Sequence, residues 1–247
     1  MLRALLRLAG ATLHVLHGVW VVLLHFPRLD DAGRAARVQW WNAKMLRRMG
    51  LTHEVSGQFR PGAKLVVANH ISWLDILAIN AVAPVRFVSK AEVKHWPVLG
   101  ALVTAGGTLY IERERARDAM RVVHHMAEAL KSGDTVAVFP EGTTADGHAL
   151  LPFHANLFQA AIATQAPVQA VALRYRDASH PVSPSVSFVG DTTLLQSVWW
   201  VARAEGLCVQ VKILPAQATA HADRRALAAH MAEEISDALN GRQHHPH

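Results

Sequence analysis

The sequence has few of the residues and motifs that mark several protein classes. It holds a single cysteine, Cys208, so no intrachain disulfide can form, and this usage fits a reducing compartment. Only 18% of its residues are charged and 51% are hydrophobic, a high share for a soluble protein but below that of a multi-span membrane protein. The sequence has no Gly-x-Ser-x-Gly elbow, no phosphate-binding ATPase loop and no dinucleotide fingerprint. These absences argue against a serine hydrolase and against those nucleotide-binding classes.

The positive charge is confined to one end of the chain. Residues 1–60 contain nine Lys/Arg and three Asp/Glu, whereas residues 61–247 contain sixteen of each, so the whole net charge of +6 lies in the first part. A basic, apolar end on a neutral body suggests an anionic membrane surface more than nucleic acid. We see no nucleic-acid-binding signature and expect no such partner. Of the 16 histidines, His124 with His125 and His14 with His17 lack a matching acidic ligand at familiar spacing, so we also expect no metal site.

The N-terminal residues predict a pair of membrane-associated helices. Leu8 to Phe26 is free of Asp, Glu, Lys and Arg, and Ala32 to Met49 mixes tryptophans with basic residues, a combination that suits the headgroup layer. We predict that residues 1–50 anchor the protein by dipping into one leaflet. The length also permits a full span, and both helices could instead pack on the globular body. The sequence after Phe26 is a poor cleavage site, so a secretory signal is disfavoured.

Beyond Gly50, apolar runs alternate with helical patterns, which predicts one α/β domain over 51–240 whose sheet is covered by helices. Residues 241–247 are predicted to be a disordered tail. The strand candidates are 64–68, 85–88, 108–112, 135–139, 168–173, 185–189 and 207–214. The helix candidates are 73–83, 97–104, 115–131, 155–165, 194–205 and 223–240.

The most informative residues are His70 and Asp75, which follow the strand-like run 65–68. Histidine is the side chain best suited to take a proton near neutral pH, and a carboxylate that orients it makes it a better general base. Ser72 with Asp75 also matches a helix-capping pattern, so Asp75 could be a cap and His70 an ordinary loop residue. If His70 lies in the turn before the helix, both roles are compatible. Because no nucleophile of the protein accompanies the pair, we expect the substrate to supply the hydroxyl.

Three further segments add candidate residues. The strand candidate before Arg113 delivers a guanidinium suited to phosphate or carboxylate, although Arg113 could equally belong to a solvated helix face. Glu141, Gly142 and Thr143 follow an apolar strand candidate, at the strand end where α/β folds bind ligands, although such a turn is common. A proline at 167 leads into another apolar run, which is a weak signal alone.

Together and in this order, these segments resemble the phospholipid/glycerol acyltransferase family, with its Asn-His-x4-Asp motif and its Phe-Pro-Glu-Gly-Thr turn. The resemblance covers roughly residues 60–215 and implies a mixed, mostly parallel sheet of the glycerol-3-phosphate acyltransferase type. It implies that His70 is the general base and Asp75 its orienting carboxylate. It further implies that the acceptor is bound by Arg113, Glu141, Gly142 and Thr143, and by Lys90, which could otherwise be a plain surface lysine.

The resemblance implies transfer of an acyl group from acyl-CoA or acyl carrier protein, as co-substrate, to a lysolipid hydroxyl. No cofactor is expected, and the enzyme would work on the cytoplasmic face of the inner membrane. The commonest acceptor in the family is 1-acyl-sn-glycerol-3-phosphate, which would give phosphatidic acid. Thr144 and Asn156 depart from the usual pattern, and Thr144 replaces an arginine suited to phosphate, so lyso-ornithine lipid is a rival acceptor. A non-catalytic membrane-binding protein on the same fold is the alternative from another class.

Overall fold

The computed structural model describes residues 1–111 and 116–241 of the chain. In these ranges eight α-helices alternate with seven strands. The helices are α1 (Leu2–Leu24), α2 (Asp31–Met49), α3 (Leu74–Val82), α4 (Leu99–Ala105), α5 (Ala116–Lys131), α6 (Gln159–Thr164), α7 (Leu194–Arg203) and α8 (Arg224–Asn240). The strands are β1 (Thr52–Ser56), β2 (Lys64–Ala68), β3 (Arg86–Lys90), β4 (Leu109–Ile111), β5 (Thr135–Val138), β6 (Val168–Arg176) and β7 (Cys208–Gln217).

The strands form one mixed sheet in the order β1-β7-β6-β2-β5-β3-β4. Strands β2 to β6 run parallel to one another, whereas β7 is antiparallel to β6 and β1 is parallel to β7. The predicted mixed, mostly parallel sheet is therefore confirmed. Because β2, β3 and β5 are parallel neighbours, the segments that leave their carboxyl ends meet at one edge of the sheet, and this edge carries the candidate site.

Helices cover both faces of the sheet, and each face has its own apolar core. On one face, side chains of α1, α2, α3 and α7 pack against alternate residues of β2, β6 and β7. On the other face, α5, α6 and α8 pack against the remaining alternate residues. Two covered faces explain why the central strand β2 reads as a continuous apolar run and is buried throughout.

The predicted N-terminal helix pair is present, and one side of it belongs to the core. Met45, Leu46 and Met49 of α2 are buried in the same core as β2. Helix α1 crosses α2 closely at Gly18, where a Cβ atom would lie 2.4 Å from the Trp41 indole nitrogen. His14 fixes the crossing from both sides, since its Nε2 lies 3.0 Å from the Trp41 carbonyl and the Trp41 indole donates to the His14 carbonyl at 3.1 Å.

The opposite side of α1 is an exposed apolar face. By length and composition the helical segment Leu2–Arg28 could cross a membrane, and most of it is not buried against the protein. Its exposed large side chains recur three or four residues apart, which places them on one side of the helix. They are Leu2, Leu5, Leu6, Leu13, Leu16, Trp20, Leu23 and Leu24.

Two elements differ from the sequence prediction. β1 was missed, because it is an edge strand whose residues are mostly exposed and show no apolar alternation. The strand predicted at 185–189 is wrong: Pro184–Val186 is a short 3-10 turn, and the residues after it lie beside the His70 loop. Except for Gly241, the predicted tail lies outside the described residues.

Candidate active site

The site begins where β2 ends, and Asn69 fixes the chain at that point. The Asn69 side chain accepts a hydrogen bond from the Leu173 N–H at 2.8 Å and donates to the Leu173 carbonyl at 3.0 Å. These two bonds extend the pairing between β2 and β6 by one residue beyond Ala68. The two bonds therefore fix the start of the following loop relative to the sheet, and this determines the position of His70.

His70 and Asp75 meet as the sequence predicts. The Nδ1 atom of His70 lies 2.8 Å from Oδ2 of Asp75, and the carboxylate is completely buried, whereas 19% of the imidazole side chain is exposed. An ionised carboxylate can only accept, so the hydrogen-bonding pattern assigns the proton to Nδ1. The exposed Nε2 is then a hydrogen-bond acceptor, which is the state that a general base requires.

The Asp75 carboxylate is held by four donors. Besides His70, Oδ2 accepts from the N–H groups of Ile71 at 2.6 Å and Ser72 at 2.9 Å, and Oδ1 accepts from the Tyr175 hydroxyl at 2.8 Å. The bond from the Ser72 N–H ties Asp75 to the backbone just before α3, whose N-cap residue Trp73 makes no side-chain cap hydrogen bond. Asp75 thus contacts both the imidazole and the backbone of the loop before α3, whereas the complete capping pattern that the sequence allowed is not formed.

Two aromatic residues near the pair were not expected from the sequence. The Phe139 ring stacks on the His70 imidazole at a centroid distance of 3.9 Å and an angle of 8°. Tyr175 is fully buried, and burial together with the neighbouring Asp75 charge raises the pKa of its hydroxyl well above the usual value, so it stays a donor. Phe139 is the first residue of the Phe-Pro-Glu-Gly-Thr turn, but the sequence indicated no role for it. Tyr175 lies 100 residues from Asp75 and carries no local signal.

Glu141 ties the turn after β5 to the His70 loop. Its Oε1 accepts from the His70 N–H at 2.7 Å, and its Oε2 accepts from the Leu151 N–H at 2.8 Å. Burial raises the pKa of this carboxyl, against the lowering effect of the two N–H donors. Glu141 is only 4% exposed, so in this structure it positions the backbone beneath the imidazole. Its predicted contact with the acceptor stays a prediction.

Gly142 and Thr143 are exposed at the rim beside Glu141. Gly142 has a φ of 73°, and a Cβ atom there would lie 3.0 Å from the His154 ring, so the turn requires glycine on two grounds. The Gly142 N–H donates to the Phe139 carbonyl at 3.1 Å, so this group is already engaged within the turn. The neighbouring Thr144 hydroxyl donates to the Phe188 carbonyl and so links this turn to the segment that contains Phe188.

The two predicted basic residues have different outcomes. Lys90 ends β3 at the same edge of the sheet as His70, and its side chain is exposed. Arg113 lies outside the described residues, so its predicted role stays a prediction. Asn156, the other departure from the family pattern, is exposed on the 3-10 turn Ala155–Phe158.

Comparisons with known proteins identify the family of this chain. The model of the Acyltransferase family matches residues 52–174, a range that includes both His70 and Asp75. A lyso-ornithine lipid O-acyltransferase of Pseudomonas aeruginosa is 36% identical over 208 residues, 84% of this chain and 80% of that protein. The chain belongs to the acyltransferase family. A 1-acyl-sn-glycerol-3-phosphate acyltransferase of Neisseria gonorrhoeae is 42% identical over 178 residues, 71% of this chain and 69% of that protein.

The acyltransferase fold is also seen in a solved structure. The crystal structure of the 1-acyl-sn-glycerophosphate acyltransferase PlsC from Thermotoga maritima aligns with a TM-score of 0.72, covering 97% of this chain and 94% of that one, at 19% identity. At this identity the likeness concerns the fold alone. The prediction that the chain is an acyltransferase enzyme is confirmed, and the roles of the individual site residues remain predictions.

Proposed function

We propose that this acyltransferase moves a fatty acyl group from an acyl thioester to the free hydroxyl of 1-acyl-sn-glycerol-3-phosphate, giving phosphatidic acid. The observation that carries the proposal is the imidazole of His70, whose Nδ1 is bound to a buried carboxylate while its Nε2 side is open at the sheet edge. A base in this position needs a hydroxyl to act on, and the two-substrate chemistry of acyl transfer supplies one.

In the reaction, the acceptor hydroxyl donates a hydrogen bond to Nε2 of His70. As the hydroxyl oxygen attacks the thioester carbonyl carbon, its proton passes to Nε2, and the buried Asp75 carboxylate stabilises the imidazolium that forms. The tetrahedral intermediate collapses with cleavage of the C–S bond. The imidazolium returns the proton to the departing sulfur, so the enzyme ends in its starting state and the products are the ester and a thiol.

Two observations support a phosphate-bearing acceptor. The relative from Neisseria gonorrhoeae, at 42% identity, is named for 1-acyl-sn-glycerol-3-phosphate. Lys90 presents an exposed ammonium at the same edge of the sheet as His70, where it would face an anionic headgroup.

Lyso-ornithine lipid is the second candidate, and one feature of the site favours it. Position 144 carries no positive charge, and the Thr144 hydroxyl is engaged by the Phe188 carbonyl instead of pointing to a ligand. The relative from Pseudomonas aeruginosa, which aligns over a longer part of this chain, is named for this acceptor. The acyl donor is either acyl-CoA or acyl carrier protein, since both present the same thioester.

We further propose that the protein is held on the cytoplasmic face of the inner membrane by the exposed apolar face of α1. Side chains such as Leu13, Leu16 and Trp20 are at least half exposed, and the basic residues of α2 suit anionic lipids. The opposite side of α1 packs on the body, which supports a helix lying in the plane of one leaflet over a helix that spans it.

The test is a panel of lysolipids with purified protein and a labelled acyl thioester. We expect turnover with 1-acyl-sn-glycerol-3-phosphate, and a reduction by at least about a thousandfold in His70→Ala. The matched control is His180→Ala, another histidine that contacts an aspartate, Asp177, but in a loop outside the pair. Preference for lyso-ornithine lipid would move the assignment to the second candidate, and full activity in His70→Ala would overturn the mechanism.

A further inference from the structure

The segment between β3 and α4 places apolar side chains in solvent. From the last two residues of the 3-10 turn Ala91–His95 onward, all five residues from Lys94 to Val98 are exposed. Trp96 is 46% exposed and Val98 is 47% exposed, in a region where neither completes an apolar core. We refer to Lys94–Val98 as the tryptophan turn.

The tip of the tryptophan turn has an uncommon backbone. Val98 has φ 66° and ψ −52°, and the Leu99 N–H donates to the Pro97 carbonyl at 2.7 Å. This is a γ-turn with positive φ, which is rare and strained, and a β-branched residue is poorly suited to it. The turn is nevertheless closed tightly, because the Gly100 N–H donates to the Trp96 carbonyl at 2.8 Å and a Cβ at Gly100 would come within 2.2 Å of the Lys94 carbonyl.

The tryptophan turn lies beside two features already described. It follows Lys90, at the sheet edge that carries His70. It leads into α4, which packs on α1: Leu102 lies 3.0 Å from the Cβ position of Gly18. The turn is therefore next to the helix whose other side forms the exposed apolar face. The turn carries Lys94 and His95, and Glu92 lies two residues before it.

We propose that the tryptophan turn is a second membrane-contacting element, which inserts Trp96 and Val98 into the headgroup–acyl boundary of an anionic bilayer and holds the active-site edge at the lipid surface. This inference rests on the proposed lysolipid acyltransferase function, because only a lipid acceptor makes that placement useful. Tryptophan and lysine together suit the headgroup layer. The strained γ-turn keeps the apolar side chains pointing outward, where a collapsed turn would bury them.

The first experiment locates the tip relative to lipid. In Val98→Cys, an environment-sensitive fluorophore is attached to the new thiol, since the natural Cys208 is only 1% exposed. When vesicles of phosphatidylcholine and phosphatidylglycerol are added, we expect the fluorophore emission to shift to the blue. We also expect spin-labelled acyl chains to quench this emission. The matched control is Met120→Cys on α5, a helix that packs on the other face of the sheet. An unchanged spectrum at position 98 on vesicles that bind the protein would overturn the proposal, and so would an equal shift at position 120.

The second experiment links insertion to turnover. We expect Trp96→Ala to lower turnover of an acceptor embedded in vesicles by about tenfold, since half of a tryptophan surface is lost from the lipid contact. Turnover of a short-chain, water-soluble acceptor should not change, nor should either activity in Met120→Ala. Val98→Gly keeps the turn, because glycine accepts positive φ. Like Trp96→Ala, it should lower turnover of the acceptor embedded in vesicles.

These outcomes separate the two proposals. If the wild type acylates the soluble acceptor and His70→Ala does not, the proposed function stands whatever the turn does. Equal losses on vesicle-embedded and soluble acceptors in Trp96→Ala would show that the turn serves the fold or the site rather than lipid contact. That result would overturn this inference alone.

Discussion

Replacing the Asp75 carboxylate by an amide separates its proposed catalytic role from its structural one. In Asp75→Asn, an amide oxygen at the Oδ2 position still accepts from the three nitrogen donors, at the 2.6–2.9 Å seen for the carboxylate. The amide nitrogen takes the Oδ1 position, where the Tyr175 oxygen can accept from it. The loop and the start of α3 therefore keep their hydrogen bonds, and only the negative charge is lost.

The magnitudes follow from these contacts. The charged hydrogen bond to the imidazolium is worth about 1.5–3 kcal/mol, so Asp75→Asn should lower kcat by about 10- to 100-fold with little loss of stability. Asp75→Ala also leaves the Ile71 and Ser72 N–H groups and the Tyr175 hydroxyl without their acceptor. Because each buried unpaired group costs about 1–3 kcal/mol, this variant should lose at least about 3 kcal/mol of unfolding free energy.

The assay pairs single-turnover acyl transfer with urea denaturation followed by circular dichroism, on the same preparations. Asp223→Asn is the matched control, because Asp223 likewise accepts from two main-chain N–H groups, those of Arg225 and Ala226, but lies at the start of α8. It should leave turnover unchanged. If Asp75→Asn kept more than half of the wild-type rate, the carboxylate would only hold the loop in place, and the reasoning from its charge would be refuted.

Three further predictions concern the surroundings of the pair. Tyr175→Phe removes a buried donor to Asp75, so we expect a loss of about 1.5–3 kcal/mol in urea denaturation, and an unchanged midpoint would contradict the bond. Gly142→Ala must adopt φ 73° and meet the His154 ring, so it should lose at least about 1 kcal/mol by the same measurement. Burial raises the pKa of Glu141, so its stabilising contribution is complete below the ordinary glutamate pKa and is lost as the pH rises through the raised value. From mildly acid to neutral pH, the unfolding free energy of the wild type should therefore fall relative to that of Glu141→Gln, and parallel pH curves would refute this.

Much of the site was predictable because its parts are close in the sequence. His70 and Asp75 are five residues apart, and the strand before them and the helix after them are both strongly apolar, so the motif, the turn and the helix start were visible together. The sheet was predictable for the same reason, since β2, β5 and β6 are buried apolar runs.

The rest depended on pairing over long distances. Tyr175 reaches Asp75 only because β6 lies next to β2, and the sequence does not state that order. β1 was missed because its pairing with β7 is provided by backbone groups, while its exposed side chains give no pattern. The segment 185–189 was wrongly predicted as a strand because its valines and phenylalanine alternate with polar residues, yet its backbone bonds go to turns and to the Ile71 carbonyl.

Because main-chain N–H groups bind Asp75, the loop before α3 can accept many substitutions. Ile71 and Ser72 bind the carboxylate through their main-chain N–H groups, which nearly every amino acid supplies. As far as these two hydrogen bonds are concerned, the side chains at positions 71 and 72 can change during evolution without moving Nε2 of His70. The only other limit is the space around them. Proline is the one residue that they exclude outright, because it has no N–H to give.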